Sequence, residues 1–393
     1  MTEIHTRLRG MAWSHRRGIE PLRACARLLK AQGISIEWDA RSLQGFEEAT
    51  ILDLGKTYDL IAIDHPFMGQ AFRDRALLPV DEIVGADFVD ELKAQSVGPS
   101  LESYIWRNRL WAIPVDAAAQ VAAFRADLLA RAGVTVPTSW REVLALAGAA
   151  PVALAANPTH LLLAFATICH AVARDRSPLA DLRPAWWADD GFDRQAGLDA
   201  LAILRAMMKV AHPASWDYDP IMLFDHMAAH DDIAYTPVAF GYSNYARPDE
   251  YARPLGFVGV PSRDGETTGG MLGGVGLCVS RHCKSLDEVG RALRFIAGRD
   301  AQCGIYTEAG GQPAYRAAWT SPEIEALCPN FFRPTLASLD LSFVRPRLPD
   351  YPRFQRDGGE MLHRLLRRGD PDEAILAELN HCWRELCLTT VPQ

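Results

Sequence analysis

Several features are missing from this sequence, and each absence excludes a class of protein. No stretch approaches the roughly 20 continuous apolar residues of a membrane-spanning helix, so the chain is not read as membrane-embedded. Positive charge is not in excess. The 41 Lys and Arg against 49 Asp and Glu leave a formal net charge of -8, which argues against a nucleic-acid partner. Cysteine is sparse at eight residues in 393. Cys278 and Cys283 lie close together, but no CxxC partner follows, so reduced structural thiols are expected, with neither a disulfide framework nor a metal site. There is no internal repeat and no low-complexity run. The opening "MTEIHTRLRGMAW" is charged and polar and lacks the apolar core of a secretory signal. Two localisations stay open: cytoplasmic as sequenced, or periplasmic if a signal has been removed.

A length of 393 residues exceeds what one hydrophobic core usually supports, so two lobes are expected. The first hundred residues alternate strand and helix. Thr6 to Trp13 reads as a strand, Pro21 opens a helix with Leu22, Cys25, Leu28 and Leu29 on one stripe, and Gly33 stops it. "ISIEW" is a second strand, a helix from about Gly45 to Lys56 follows, and "YDLIAID" is a third strand. That rhythm predicts an α/β fold with a largely parallel sheet. "DLIAI" is apolar throughout, as expected of a strand covered on both faces. Leu110 to Val115 and Gln120 to Phe124 read as two short strands, and "TVPTSWRE" as a capped helix start with Ser139 or Thr138 opposite Glu142. A glycine-rich approach, Gly269 to Gly276, enters a further strand, and Ser285 starts a helix. The terminal segment carries two amphipathic helices.

Ligands of open parallel sheets bind outside the carboxyl ends of the strands. Trp13, Ser14 and His15 fall just past one such end, and Asp64 and His65 past another. Trp13 suits stacking on a sugar face, or packing beneath the loop. Asp64 suits a ligand contact, or a helix cap with Pro66 in the first turn. His65 then stands at the rim of the crevice. Asp116 is a candidate ligand contact or a hinge carboxylate, and Trp216, Tyr235 and Tyr242 are candidates further along. Gly273 and Gly274, in "MLGGVG", allow close backbone approach; no Lys-Ser/Thr follows, so this is no phosphate loop. Gln312 borders the same region. His65, Arg17 and Arg125 would suit an anionic group. A metal shared by His15, Asp64 and His65 is disfavoured because adjacent residues do not easily face one ion, so no metal and no cofactor are expected. A Ser-His-Asp triad lacks a GxSxG elbow.

The units "YDLIAIDHPFMGQAFRDRALLPVDE", Ala112 through Glu142 and Gly273 to Arg316, in this order, resemble family-1 extracellular solute-binding proteins of ABC importers, the maltose-binding-protein-like group with a type II periplasmic-binding-protein fold. "LRGMAWSHRRG" and "IDHP" resemble a subgroup whose members start without an obvious signal. The chain departs from the family at "FRADLL", where Arg125 fills a slot usually held by Tyr-Asn. The resemblance implies two α/β lobes, each a mostly parallel sheet flanked by helices, at residues 1–115 plus 265–318 and 116–264 plus 319–393. It implies a cleft between them that closes on a small polar ligand, carbohydrate-like or a small organic acid. The implied partners are that ligand and an ABC transporter permease, with the protein a monomer. The alternative is a cytoplasmic enzyme on the same scaffold, with His65, Asp64 and His15 as acid–base groups.

Overall fold

The computed structural model describes residues 6–41, 50–173, 187–188 and 190–388. Contacts divide the chain into two compact units. One comprises Met1–Ala117, Gly273–Leu327 and Arg347–Pro349; the other comprises Ala118–Leu272, Cys328–Pro346 and Asp350–Gln393. The chain therefore passes from one to the other several times.

In the first unit, the strand Thr6–Trp13 lies between two parallel neighbours. It pairs with Ile34–Arg41 from Thr6↔Ile34 to Trp13↔Arg41, and with Leu60–Ile63 through Gly10↔Leu60 and Met11↔Ile61. The connecting helix spans Arg16–Lys30, five residues earlier than the proline suggested. His15 caps it by accepting the Arg17 N–H on its ring, and Pro21 sits inside, early enough to remove only a ladder bond near the helix start. Its buried face is Leu22, Cys25 and Leu29, packed on the sheet. Leu60, Ile61, Ala62 and Ile63 have no exposed surface, as the unbroken apolar run implied. Of the helix expected from Gly45, the first residues lie outside the described ones; Ile51–Gly55 is helical.

Strand directions are mixed rather than uniformly parallel. Leu272–Ser280 pairs antiparallel with Leu60–Ile63, from Gly276↔Ile63 to Val279↔Leu60. This strand returns to the first unit only after a long excursion, so no local βαβ crossover dictates its direction. Cys278 lies within it and donates its thiol to the Ile61 carbonyl at 3.2 Å. All eight cysteines are free.

The segment from Ile113 to Phe124 is one continuous strand, not two. Pro114 is only its second residue, where a missing N–H is tolerated, and Ala117, Ala118 and Ala119 continue it without a break. In the second unit this strand pairs antiparallel with Tyr235–Phe240 and with Gly256–Val258. The register shifts between Thr236 and Ala239, where Pro237 has no N–H to offer the ladder. The apolar helix Pro158–Ala173 is enclosed by Arg194–Val210 and Tyr351–Arg368. Ser139 and Glu142 form the expected reciprocal cap of the helix Trp140–Leu146. The two C-terminal helices are Tyr351–Arg368 and Asp372–Trp383. No helix among the described residues is long and apolar enough to cross a membrane.

Candidate functional site

In the first unit the parallel strand ends carry the residues singled out from the sequence. The chain leaves the strand Thr6–Trp13 at Ser14, whose N–H donates to the Arg41 carbonyl at 2.6 Å. Ser14 is exposed and His15 is half-buried. Trp13 is buried, and a Cβ placed on Gly18 would come within 2.4 Å of its indole. The ring thus lies flat on the first turn of the helix, which is the packing role. His15 Nδ1 accepts the Arg17 N–H at 3.1 Å, so the Nδ1 edge of that ring is committed to the cap.

Asp64 caps the short turn His65–Phe67, its Oδ1 accepting the His65 N–H at 2.8 Å. The same oxygen is 3.1 Å from His65 Nδ1, and the Asp64 side chain keeps 25% of its surface. His65 does not stand at a rim: it has no exposed surface and meets the Tyr104 ring edge-on at 6.4 Å. The cap turns its side chain inward, while Asp64 keeps the outer position. Tyr104 was not singled out from the sequence. Its hydroxyl donates to the Ile63 carbonyl at 2.9 Å and lies 3.4 Å from the Gly274 carbonyl, tying the ends of two strands together.

Asp116 is paired with Arg17 in a two-pronged ion pair. Arg17 Nε donates to Oδ2 at 2.7 Å and its terminal nitrogen to Oδ1 at 2.5 Å, with both residues at most 3% exposed. Burial pushes the Asp116 carboxyl above its ordinary range; the Arg17 guanidinium opposes that push and the nearby Asp64 charge adds to it. Gln312 supports the pair through its backbone N–H, while its side chain donates to the Ala117 carbonyl at 2.7 Å. Gly274, at φ +101°, brings its Cα so close to this strand that a Cβ would sit 2.3 Å from the Asp116 carbonyl oxygen. Gly273 precedes it and is buried. The first unit thus brings Asp64, His65, Asp116, Gly274 and Gln312 together with Arg17 and Tyr104.

The second unit holds the other three candidates, each in its own packing environment. Trp216 closes the turn Pro213–Trp216, with His363 edge-on at 5.2 Å and the Arg367 guanidinium 5.4 Å from its ring. Tyr235 is wholly buried in its strand, its hydroxyl has no hydrogen-bond partner among the described residues, and burial pushes that hydroxyl well above its usual pKa. Tyr242 packs on Phe224 and Tyr245, each at 6.4 Å. A polar group missed from the sequence centres on His160. Its Nδ1 is 2.9 Å from Asn157 Oδ1, Phe240 lies edge-on at 6.5 Å, and the Arg345 guanidinium lies 5.7 Å from that phenyl ring. Burial holds His160 down to about 4; the Asp219 charge opposes that push and the Arg345 charge adds to it. The one available sequence signal was Asn157-Pro158 at a helix start, where Asn157 also accepts the His160 N–H.

Arg125 is committed to structure. Its guanidinium donates to the Met227 and His230 carbonyls at 2.8 Å and to Asp127 and Asp231 at 2.7 and 2.8 Å.

The family model for bacterial extracellular solute-binding protein matches residues 23–302. No curated protein sequence is similar enough to the chain to count as a match. Among solved structures, a maltose-bound MalE3 from T. maritima is 16% identical, with 97% of this chain and 99% of that one covered at a TM-score of 0.80. An ABC transporter solute-binding protein from Agrobacterium radiobacter K84 in complex with ribitol is 17% identical, with 98% and 100% covered at 0.78. The sugar-binding protein MalE from Xanthomonas citri is 16% identical, with 98% of each chain covered at 0.77. Such identities speak to the fold alone, which is shared from end to end. The family model, spanning most of the chain, supplies the rest: this protein belongs to the bacterial extracellular solute-binding proteins, the binding components of ABC importers.

Proposed function

We propose that the captured solute is a neutral polyhydroxy compound, a sugar or sugar alcohol, rather than an anion. The supporting observation is the engagement of the basic side chains. Arg17 is held by Asp116, and Arg125 by two carboxylates and two carbonyls. Two of the three groups that would suit an anionic ligand are thereby committed to the protein itself. What the first unit offers instead is the partly exposed Asp64 carboxylate beside the exposed Ser14 and half-buried His15, a set matched to hydroxyl groups. Maltose and ribitol, bound in two structures of the same fold, are ligands of this chemistry.

In this proposal Ser14, His15 and Asp64 contact ligand hydroxyls, and Trp216 and Tyr242 supply aromatic surface from the second unit. Trp13, His65, Asp116, Tyr235, Gly273, Gly274 and Gln312 hold the contacting groups in place. Capture by closure of the two units on the ligand, delivery to a permease and action as a monomer follow the family resemblance and belong to the same proposal. Acid–base catalysis by His15, Asp64 and His65 is not favoured, since His65 has no exposed surface from which to exchange a proton with a substrate.

Calorimetric titration of wild type and Asp64→Asn with maltose, ribitol and related compounds tests this. A charge-assisted hydrogen bond is worth about 1.5–3 kcal/mol, so the variant should bind roughly 10–150-fold more weakly. Equal affinity in the two proteins would remove Asp64 from the ligand contacts.

A further inference from the structure

A second cluster of chemistry-bearing side chains lies in the second unit, made of residues not assigned above to ligand capture. Asp232 presents one oxygen to each of two imidazoles. Its Oδ1 is 2.7 Å from His226 Nε2 and its Oδ2 is 3.5 Å from His212 Nε2. The three residues come from different segments: His212 precedes the turn Pro213–Trp216, His226 lies on the helix Pro220–Ala229, and Asp232 lies on the loop before the strand Tyr235–Phe240. Their side chains keep 24%, 23% and 55% of their surface, enough for an ion to enter.

We propose that His212, His226 and Asp232 form a binding site for a borderline divalent transition metal of the zinc class. Two imidazoles and one carboxylate are a zinc donor set that leaves a fourth position for water. A tetrahedron with bonds of about 2.1 Å separates its ligand atoms by about 3.4 Å. Here one potential ligand atom from each residue lies within 4.8 Å of the others, with the two imidazoles at 2.7 and 3.5 Å from different oxygens of the carboxylate.

The surrounding groups decide which nitrogen binds. The Tyr218 hydroxyl is 2.8 Å from His226 Nδ1. A hydroxyl either donates or accepts, so when Nε2 takes the metal, Nδ1 keeps its proton and Tyr218 accepts it. His212 Nδ1 accepts the Ala214 N–H at 3.3 Å; metal binding at its Nε2 gives up that long, weak bond. Without metal, the same contacts are satisfied by two Nε2–H groups donating to Asp232. Metal binding at Nε2 therefore shifts each neutral ring to its Nδ1–H tautomer with no net loss of a proton, and the altered Tyr218 and Ala214 contacts are what distinguish a metal site from a hydrogen-bonded cluster. A bound ion would tie three segments of this unit together and stabilise it.

The test uses the full chain, stripped with a chelator and titrated with zinc and cobalt(II) ions. Expected are one equivalent bound by calorimetry and a visible cobalt spectrum without thiolate charge-transfer bands. His226→Ala and Asp232→Asn should abolish the spectrum, and Tyr218→Phe should weaken zinc binding by about 10–100-fold. Circular dichroism of the metal-free variants checks that they fold, and His212→Ala supplies an independent variant should one of them not. Absence of binding by wild type overturns the proposal. So does zinc binding that persists unchanged in folded His226→Ala or His212→Ala, or a spectrum that reports thiolate ligands.

Discussion

Replacing Asp116 by Asn removes one charge from the first unit while preserving the shape of the side chain. Arg17 would then keep its guanidinium at 3% exposure, with the 2.7 and 2.5 Å contacts to a carboxylate reduced to contacts with a neutral amide. Breaking a buried pair by neutralising one partner costs about 3–5 kcal/mol, because the remaining charge stays desolvated and uncompensated. In a cooperative unit of about 150–250 residues, each 1 kcal/mol shifts Tm by about 2–4 °C. Asp116→Asn should therefore melt roughly 6–20 °C below wild type in differential scanning calorimetry. Replacing both partners, as Arg17→Met with Asp116→Leu, leaves no stranded charge and should recover much of that loss. An Asp116→Asn protein that melts within about 2 °C of wild type refutes the reasoning, as does a double variant less stable than the single one.

Other consequences are equally direct. Gly274→Ala places a methyl group 2.3 Å from the Asp116 carbonyl oxygen at φ +101° and should lose more than about 1 kcal/mol in urea denaturation; unchanged stability would contradict the close approach of those strands. His160 titrates at about 4 in the folded chain against an ordinary 6.5, so between these values the unfolded chain binds the extra proton. Stability should fall as pH drops from about 6.5 to 4, and the fall should be smaller in His160→Gln; parallel pH profiles would exclude His160 as its source. Arg125 holds the Asp127 carboxyl down to about 2, so that contribution is present above about pH 4 and lost as pH falls toward 2. Asp127→Asn should flatten that part of the acid-unfolding curve, and an unaltered curve would count against the pairing.

Local chemistry made part of this molecule legible in its sequence. Ser139 with Glu142, the unbroken apolar run Leu60 to Ile63, and Asp64 ahead of Pro66 each determine structure within a few residues, and each takes the expected form. Relations between distant segments were harder to read. Arg17 and Asp116 are 99 positions apart, and nothing in either neighbourhood announces a partner. Arg17 was read as a ligand group because an arginine beside a strand end looks available until its carboxylate is located. The antiparallel direction of Leu272–Ser280 depends on where the chain re-enters the first unit, which no periodicity encodes. His15 and His65 illustrate the same limit on a smaller scale. Strand-end position placed both correctly, but side-chain direction was set by caps: one ring is turned to its own helix and the other is folded under Tyr104. The His160 and Arg345 grouping joins two segments remote in sequence, and only Asn157 left a local sign.

The central claim is tested most directly by thermal-shift and calorimetric titration of the intact protein against two ligand panels, neutral sugars and sugar alcohols in one and small organic anions in the other. Saturable one-to-one binding of a neutral polyhydroxy compound is expected, with a raised melting temperature and recovery of the ligand chemically unchanged. Binding confined to the anions, or conversion of the ligand to a product, would contradict it.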